Sequence, residues 1–133
     1  MKKNLLLGVT GSIAASKTEE LHSLLVDLYN IKVISTTEGL KYISKSFISN
    51  HNVLSSWEDY PGSPHIELSR WADKVIIYPA TANFIAKLST GISDDLLLST
   101  MLMYKKSIYI CPAMHEEMYL NEETQTNISK LAN

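Results

Sequence analysis

The sequence predicts a layered α/β fold built on a parallel sheet, and three observations predict it. Four short apolar or β-branched runs, Asn4 to Val9, Ile31 to Ser35, Lys74 to Tyr78 and Ser107 to Cys111, alternate with segments of helical spacing. The first two runs are joined by a crossover long enough to hold a helix, which normally makes them parallel and right-handed. Turn-forming and small polar residues collect just past the runs: Gly11-Ser12, Thr36-Thr37, Pro79-Ala80-Thr81-Ala82-Asn83 and Pro112-Ala113-Met114-His115. Open α/β sheets bind ligands beyond the carboxyl ends of their strands, so four such loops at one edge describe a site.

The elements follow in order. Asn4 to Val9 is an apolar run of strand length that ends in the turn Thr10-Gly11-Ser12. From Ile13 the period changes, and Ile13, Lys17, Leu21, Leu24, Leu25 and Leu28 predict a helix with one mostly apolar face reaching Tyr29. Thr36-Thr37-Glu38-Gly39 breaks the second strand, and Leu40 to Ser49 reads as helical. Residues 50–64 are polar and carry the strongest loop signal, Pro61-Gly62-Ser63-Pro64. His65 to Ala72 has helical spacing through Ile66, Leu68 and Trp71. After the third strand and Pro79, Thr81 to Thr90 and Asp94 to Tyr104 read as helices separated at Gly91. The second of these is apolar on nearly all sides, through Leu96-Leu97-Leu98 and Met101-Leu102-Met103, which predicts burial in a core or, in a chain this small, at a subunit contact. Pro112 stops the fourth strand, and Glu122 to Leu131 forms a last helix. No repeat, low-complexity tract or linker divides residues 1–133, so one domain is expected.

Composition narrows the function classes. The chain has 133 residues, 45% hydrophobic and 20% charged, an ordinary globular balance with a sizeable core. A net charge of −2 with scattered basic residues argues against nucleic-acid binding. One cysteine excludes an internal disulfide framework and fits a reducing compartment. No segment approaches the ~20 apolar residues that span a bilayer. Gly8 to Ser12 reads as a turn into a helix rather than a signal cleavage site. The expectation is a cytoplasmic protein with no membrane partner.

Several residues invite chemistry. Gly11, Ser12 and Ile13 stand where free backbone N–H groups and a helix dipole suit a phosphate, although many strand-to-helix junctions need a glycine for geometry alone. The segment matches neither the three-glycine dinucleotide pattern nor a lysine-containing phosphate loop. Thr36 and Thr37 offer hydroxyl donors to the same anion, or one of them caps the following helix. His65, after Ser63-Pro64, falls in a first helical turn, where the dipole favours the neutral imidazole that a general base requires; a solvent-facing histidine fits the local pattern as well. Ala80 leaves room for a flat aromatic ligand, and Thr81 and Asn83 can hydrogen-bond it, while Thr81 also fits an N-cap. His22, His51 and His115 show no metal-ligand spacing, and Cys111 inside a strand reads as core.

Taken in order, Thr10-Gly11-Ser12-Ile13-Ala14, His65-Ile66-Glu67-Leu68, Pro79-Ala80-Thr81-Ala82-Asn83, Gly91-Ile92-Ser93-Asp94-Asp95-Leu96-Leu97 and Pro112-Ala113-Met114-His115-Glu116-Glu117-Met118-Tyr119 resemble the homo-oligomeric flavin-containing cysteine decarboxylase family. That family includes phosphopantothenoylcysteine decarboxylase of coenzyme A synthesis and the lantibiotic peptidyl-cysteine decarboxylases. The resemblance covers about Asn4 to Asn133 and implies a Rossmann-like, flavodoxin-type domain assembled as homotrimers or as dodecamers of four trimers, with FMN between subunits. It implies His65 as the catalytic residue and places Ser12, Thr36, Ala80, Thr81, Asn83 and Asp94 around FMN, beside Gly11 and Ile13. Asn83, Met114, His115 and Met118 fall on the substrate side. The implied reaction is FMN-dependent oxidation of a cysteinyl unit to a thioaldehyde, followed by loss of its carboxylate to give an enethiol. The substrate is either phosphopantothenoylcysteine or the C-terminal cysteine of a peptide. Non-catalytic FMN-binding regulators and flavin prenyltransferases are the alternative readings.

The sequence departs from the family pattern in places. His115 stands where asparagine is usual, Tyr119 where tryptophan is common, and Phe84 where threonine is frequent. Relatives continue past the equivalent of residue 133 with a further strand and a substrate-covering flap. In the phosphopantothenoylcysteine enzymes that region carries a reducing cysteine, which Cys111 does not match.

Overall fold

A computed structural model describes residues 1–132. Four strands, β1 (Lys3–Val9), β2 (Tyr29–Ser35), β3 (Lys74–Ala80) and β4 (Ile108–Pro112), form one sheet in the order β2-β1-β3-β4, with every pairing parallel. The β1 to β2 register runs from Lys3 opposite Tyr29 to Val9 opposite Ser35. The chain leaves β1 toward β2 on one side and returns to β3 on the other, so the strand order reverses at β1. That reversal defines the crevice where such sheets bind ligands.

Strand alternation sends side chains to two cores. Leu6, Ile34, Val75 and Ile77 face a cluster with Leu68, Phe84, Ile85, Leu96, Leu97, Leu98 and Met101. Leu7, Val9 and Val33 face another with Ala15, Ile43, Phe47 and Val53. The first face carries α3 (Pro64–Trp71), α4 (Ala82–Ser89), α5 (Leu96–Met103) and α7 (Glu122–Leu131), and α3 packs against α5. The second carries α1 (Thr18–Leu25) and α2 (Lys45–Asn50).

Four expectations are corrected. The helix expected from Ile13 to Tyr29 begins as a 3-10 turn, Ile13–Lys17, and α1 ends at Leu25. The Leu40 to Ser49 helix divides into a 3-10 turn, Gly39–Tyr42, and α2, because Ser44 restarts the helix by accepting the Phe47 N–H at 3.2 Å. Helix α5 is apolar because its own chain covers it: Leu96, Leu97, Leu98, Thr100 and Met101 are all buried, leaving Leu102 and Met103 exposed. Gly8 makes this possible, since a Cβ there would stand 2.6 Å from Ile77 Cδ1 and 2.9 Å from Leu97 Cδ1. Cys111 is only half-buried, because β4 is an edge strand. Periodicity also gave no sign of the short helix α6 (Glu116–Leu120).

Candidate active site

The loops after β1, β2 and β3 are bound to one another. Thr10, fully buried, donates its hydroxyl to the Pro79 carbonyl at 2.6 Å and accepts the Thr81 N–H at 3.0 Å. The Thr36 N–H donates to the Val9 carbonyl at 2.9 Å, so the second loop hangs from the first. Gly11 permits the close approach of these two loops: a Cβ there would collide with the Glu38 side chain at its root. A side chain at Gly11 would push the two loops apart.

Between these loops and the start of α5 lies a cleft of about 440 Å³, within the size range of small-molecule sites. Gly11, Thr36, Thr81, Asn83 and Asp94 line it, five of the residues the sequence singled out. Thr10, Thr37, Glu38, Phe84, Lys87, Asp95 and Leu98 complete the lining. Thr36 Oγ1 accepts the Gly39 N–H at 3.1 Å, an interaction that leaves its own O–H as a donor. Thr81 caps α4 through the Phe84 N–H at 3.1 Å. Ser12, just outside the lining, caps the 3-10 turn by accepting the Ala14 N–H at 3.2 Å. Ala80 is fully buried at the end of β3. The Ile13 side chain is exposed, which leaves only its backbone as a candidate contact.

Charge in the cleft is largely paired. Lys87 and Asp94 meet at 2.8 Å, and this hydrogen bond raises the lysine's pKa. Lys41 and Glu38 do the same at 2.8 Å. Asp95 accepts the Leu98 N–H at 2.7 Å as the cap of α5. Burial lifts its pKa, the neighbouring Asp94 adds to the lift, and the Leu98 amide opposes it. Lys87, Asp95 and Glu38 were not among the expected site residues. Lys87 had a usable signal, lying one helical turn after Asn83 on α4.

The remaining candidates lie outside this lining. His65 opens α3, whose N-terminus lies at the sheet edge where the strands end, because a helix feeding a parallel strand runs against it. Its Nδ1 accepts the indole N–H of Trp57 at 3.1 Å. Met114 packs half-buried on the first core, beside Ala113, whose N–H donates to the Ala80 carbonyl at 3.0 Å. His115 Nδ1 caps α6 by accepting the Glu117 N–H at 3.3 Å. Met118 is exposed in a separate depression with Glu117, Asn121 and Thr124. Among the described residues no His, Cys, Asp and Glu cluster could hold a metal, and no helix is long and apolar enough to cross a membrane.

A parallel sheet with a hydroxyl- and amide-lined cleft at its strand-order reversal has the layout in which open α/β sheets bind ligands. Residues 1–133 match the model of the Flavoprotein family, and the chain belongs to that family. It is 40% identical over 136 residues to the coenzyme A biosynthesis bifunctional protein CoaBC of Bacillus subtilis, a match covering 97% of this chain and 34% of that protein. It is 35% identical to a putative phosphopantothenoylcysteine decarboxylase of Dictyostelium discoideum, covering 98% of this chain and 73% of that one. The chain thus spans about a third of the length of the bifunctional relatives. Among solved structures, the FMN-dependent cysteine decarboxylase SpaF superposes with a TM-score of 0.91 at 32% identity, covering 98% of this chain and 79% of that one. A PPC decarboxylase mutant complexed with pantothenoylaminoethenethiol superposes with a TM-score of 0.90 at 29% identity, covering 99% and 78%. The flavodoxin-type, Rossmann-like fold expected from the resemblance is the fold observed.

Proposed function

We propose that this protein holds FMN in the cleft at the β1 and β3 strand ends and, with it, decarboxylates a cysteinyl carboxylate. One observation carries the reading: Gly11, Thr36, Thr81, Asn83 and Asp94, from four separate segments, line a single cleft. The donor set fits the cofactor. Thr36, Thr37, the Ser12 hydroxyl and the backbone amides of Gly11 and Ile13 would hold the phosphate. Phe84 and Leu98 offer apolar surface for a ring system, and Thr81, Asn83 and Asp94 offer hydrogen bonds to its polar edge. Bound there, FMN would supply a two-electron oxidation of the substrate's carbon–thiol unit, the chemistry that makes the carboxylate a leaving group.

The chain's own residues bind and orient. The paired Lys87 and Asp94 fix the cleft wall against α5, and Thr10 fixes the floor. His65 acts at the reacting cysteine, with Met114, His115, Met118 and Asn83 on the substrate side. The link from Ala113 to Ala80 supports that placement, because it keeps the Met114 loop next to the cofactor strand. The same reading makes the protein a cytoplasmic homo-oligomer built from trimers. The exposed apolar side chains of Ile13, Leu24 and Leu28 support an interface on that part of the chain.

Titrating FMN into flavin-free protein tests the cofactor part. Saturable quenching of flavin fluorescence near one FMN per chain is expected. Fluorescence that stays that of free flavin contradicts the reading.

A further inference from the structure

We infer that Trp57 is a positioning residue that fixes the tautomer of His65, so that the imidazole presents Nε2–H as a donor to an anionic group of the cysteinyl substrate. The role of His65 at substrate rests on the decarboxylase reading; its tautomer does not. An indole nitrogen can only donate. The imidazole nitrogen that accepts from it at 3.1 Å therefore bears no proton, and the proton of neutral His65 is on Nε2. The two rings meet edge to face, with centroids 5.9 Å apart and planes inclined by 70°, a geometry that aims the indole N–H at a ring nitrogen rather than stacking the faces.

Both partners are held from outside the bond. Trp57 opens a 3-10 turn, Trp57–Asp59, fastened by Asp59 Oδ2, which accepts the N–H groups of Ser55 at 2.8 Å and Ser56 at 3.0 Å. His65 follows Pro64 in the first turn of α3, where Glu67 Oε2 accepts the Ser63 N–H at 3.1 Å. Gly62, at φ +94°, makes the turn between them. One carboxylate clamps each end of the loop, so the Trp57 to His65 geometry is set before any ligand arrives. Trp57 belongs to neither core cluster and is 40% exposed, so packing alone gives no account of a tryptophan here.

The consequence changes the expected chemistry. For Nε2 to act as a base, the imidazole proton would have to move to Nδ1, where it would face the Trp57 N–H with no acceptor between them. The resting histidine instead offers a proton toward substrate. A carboxylate or thiolate meeting Nε2–H gains a charge-assisted hydrogen bond from a donor that needs no reorganisation.

The test is nitrogen-15 NMR of imidazole-labelled FMN-loaded protein, compared with Trp57→Phe, which keeps the ring and removes the donor. Wild-type His65 should carry its proton on Nε2, and Trp57→Phe should shift population toward Nδ1–H. The variant should keep its flavin and lose about tenfold in kcat, the scale of one hydrogen bond. The same change in a His65→Asn background should cost nothing further. A proton on Nδ1 in the wild-type protein, or unchanged kcat in an active Trp57→Phe, overturns the inference. Because the wild-type spectrum requires no variant, poor folding of Trp57→Phe leaves the test decisive. A wild-type protein with Nε2–H but no turnover contradicts the decarboxylase reading alone.

Discussion

The two ends of the row of strand-end loops are built differently. Around β1, β2 and β3 each loop is hydrogen-bonded to another: Thr10 to Pro79, Thr81 to Thr10, Thr36 to Val9. Past β4, one backbone bond, Ala113 to Ala80, ties the loop to β3; beyond it the side chains of His115, Met118, Tyr119 and Leu120 are exposed, and α6 is held by the His115 cap and by Gln125, which donates to the Tyr119 carbonyl at 2.6 Å. The first region is a pre-formed cleft, the second an open shelf beside it. On the proposed function, cofactor retention would draw on residues already locked together, and substrate handling on residues with room to adjust. Changes in the first region should remove flavin; changes in the second should alter turnover and spare the flavin.

The largest effect should come from His65→Ala, which leaves the cleft lining intact. Turnover should fall ~10²–10⁴-fold, the range for losing a proton-handling group, with flavin content unchanged. Loss of flavin in that variant would tie His65 to the cofactor cleft and contradict its placement at the substrate. Next is Gly11→Val, whose side chain separates the first two loops at Glu38. It should reduce FMN binding by at least ~10-fold while the circular dichroism of the sheet persists, an outcome checked by flavin titration. Thr10→Val removes a buried hydroxyl that both donates and accepts. It should lower unfolding free energy by about 1–3 kcal/mol in urea titration. The smallest effect should be His115→Asn, since asparagine is a good helix cap and can replace the histidine at α6. Thermal midpoint and flavin content should match the parent protein.

A pH dependence sharpens the comparison on the opposite face of the sheet. His22 is buried, and burial followed by the nearby His51 lowers its pKa below the ordinary 6.5. The unfolded chain then binds the proton more readily than the folded one. The stability His22 contributes is complete above pH 6.5 and is lost as pH falls from there toward its depressed folded value. Urea midpoints measured on either side of pH 6.5 should show this fall, and His22→Leu should flatten it.

Much of the cleft was legible because strand ends and turn residues announce themselves. Thr36, Thr81 and Asn83 follow directly from where β2 and β3 stop, and the structure brings them together with Gly11 and Asp94. The placement of α5 was not legible in full, since an all-round apolar helix fits a core and an interface equally. Only the glycine at position 8, which lets α5 approach the sheet, decides between them. Asp95 was missed because its place in the cleft depends on α4 and α5 converging, a tertiary fact, whereas Lys87 could have been read from its i+4 spacing to Asn83. The Trp57 to His65 bond spans a loop that composition marks only as irregular. The family resemblance named the histidine, and the fold supplied its hydrogen-bond partner.

The most direct measurement of the central claim is mass spectrometry of FMN-loaded protein incubated separately with phosphopantothenoylcysteine and with peptides ending in cysteine. The account predicts that one of these substrates loses the mass of carbon dioxide, with wild-type protein and not with His65→Ala. Both substrates returned unchanged by flavin-loaded wild-type protein would contradict it.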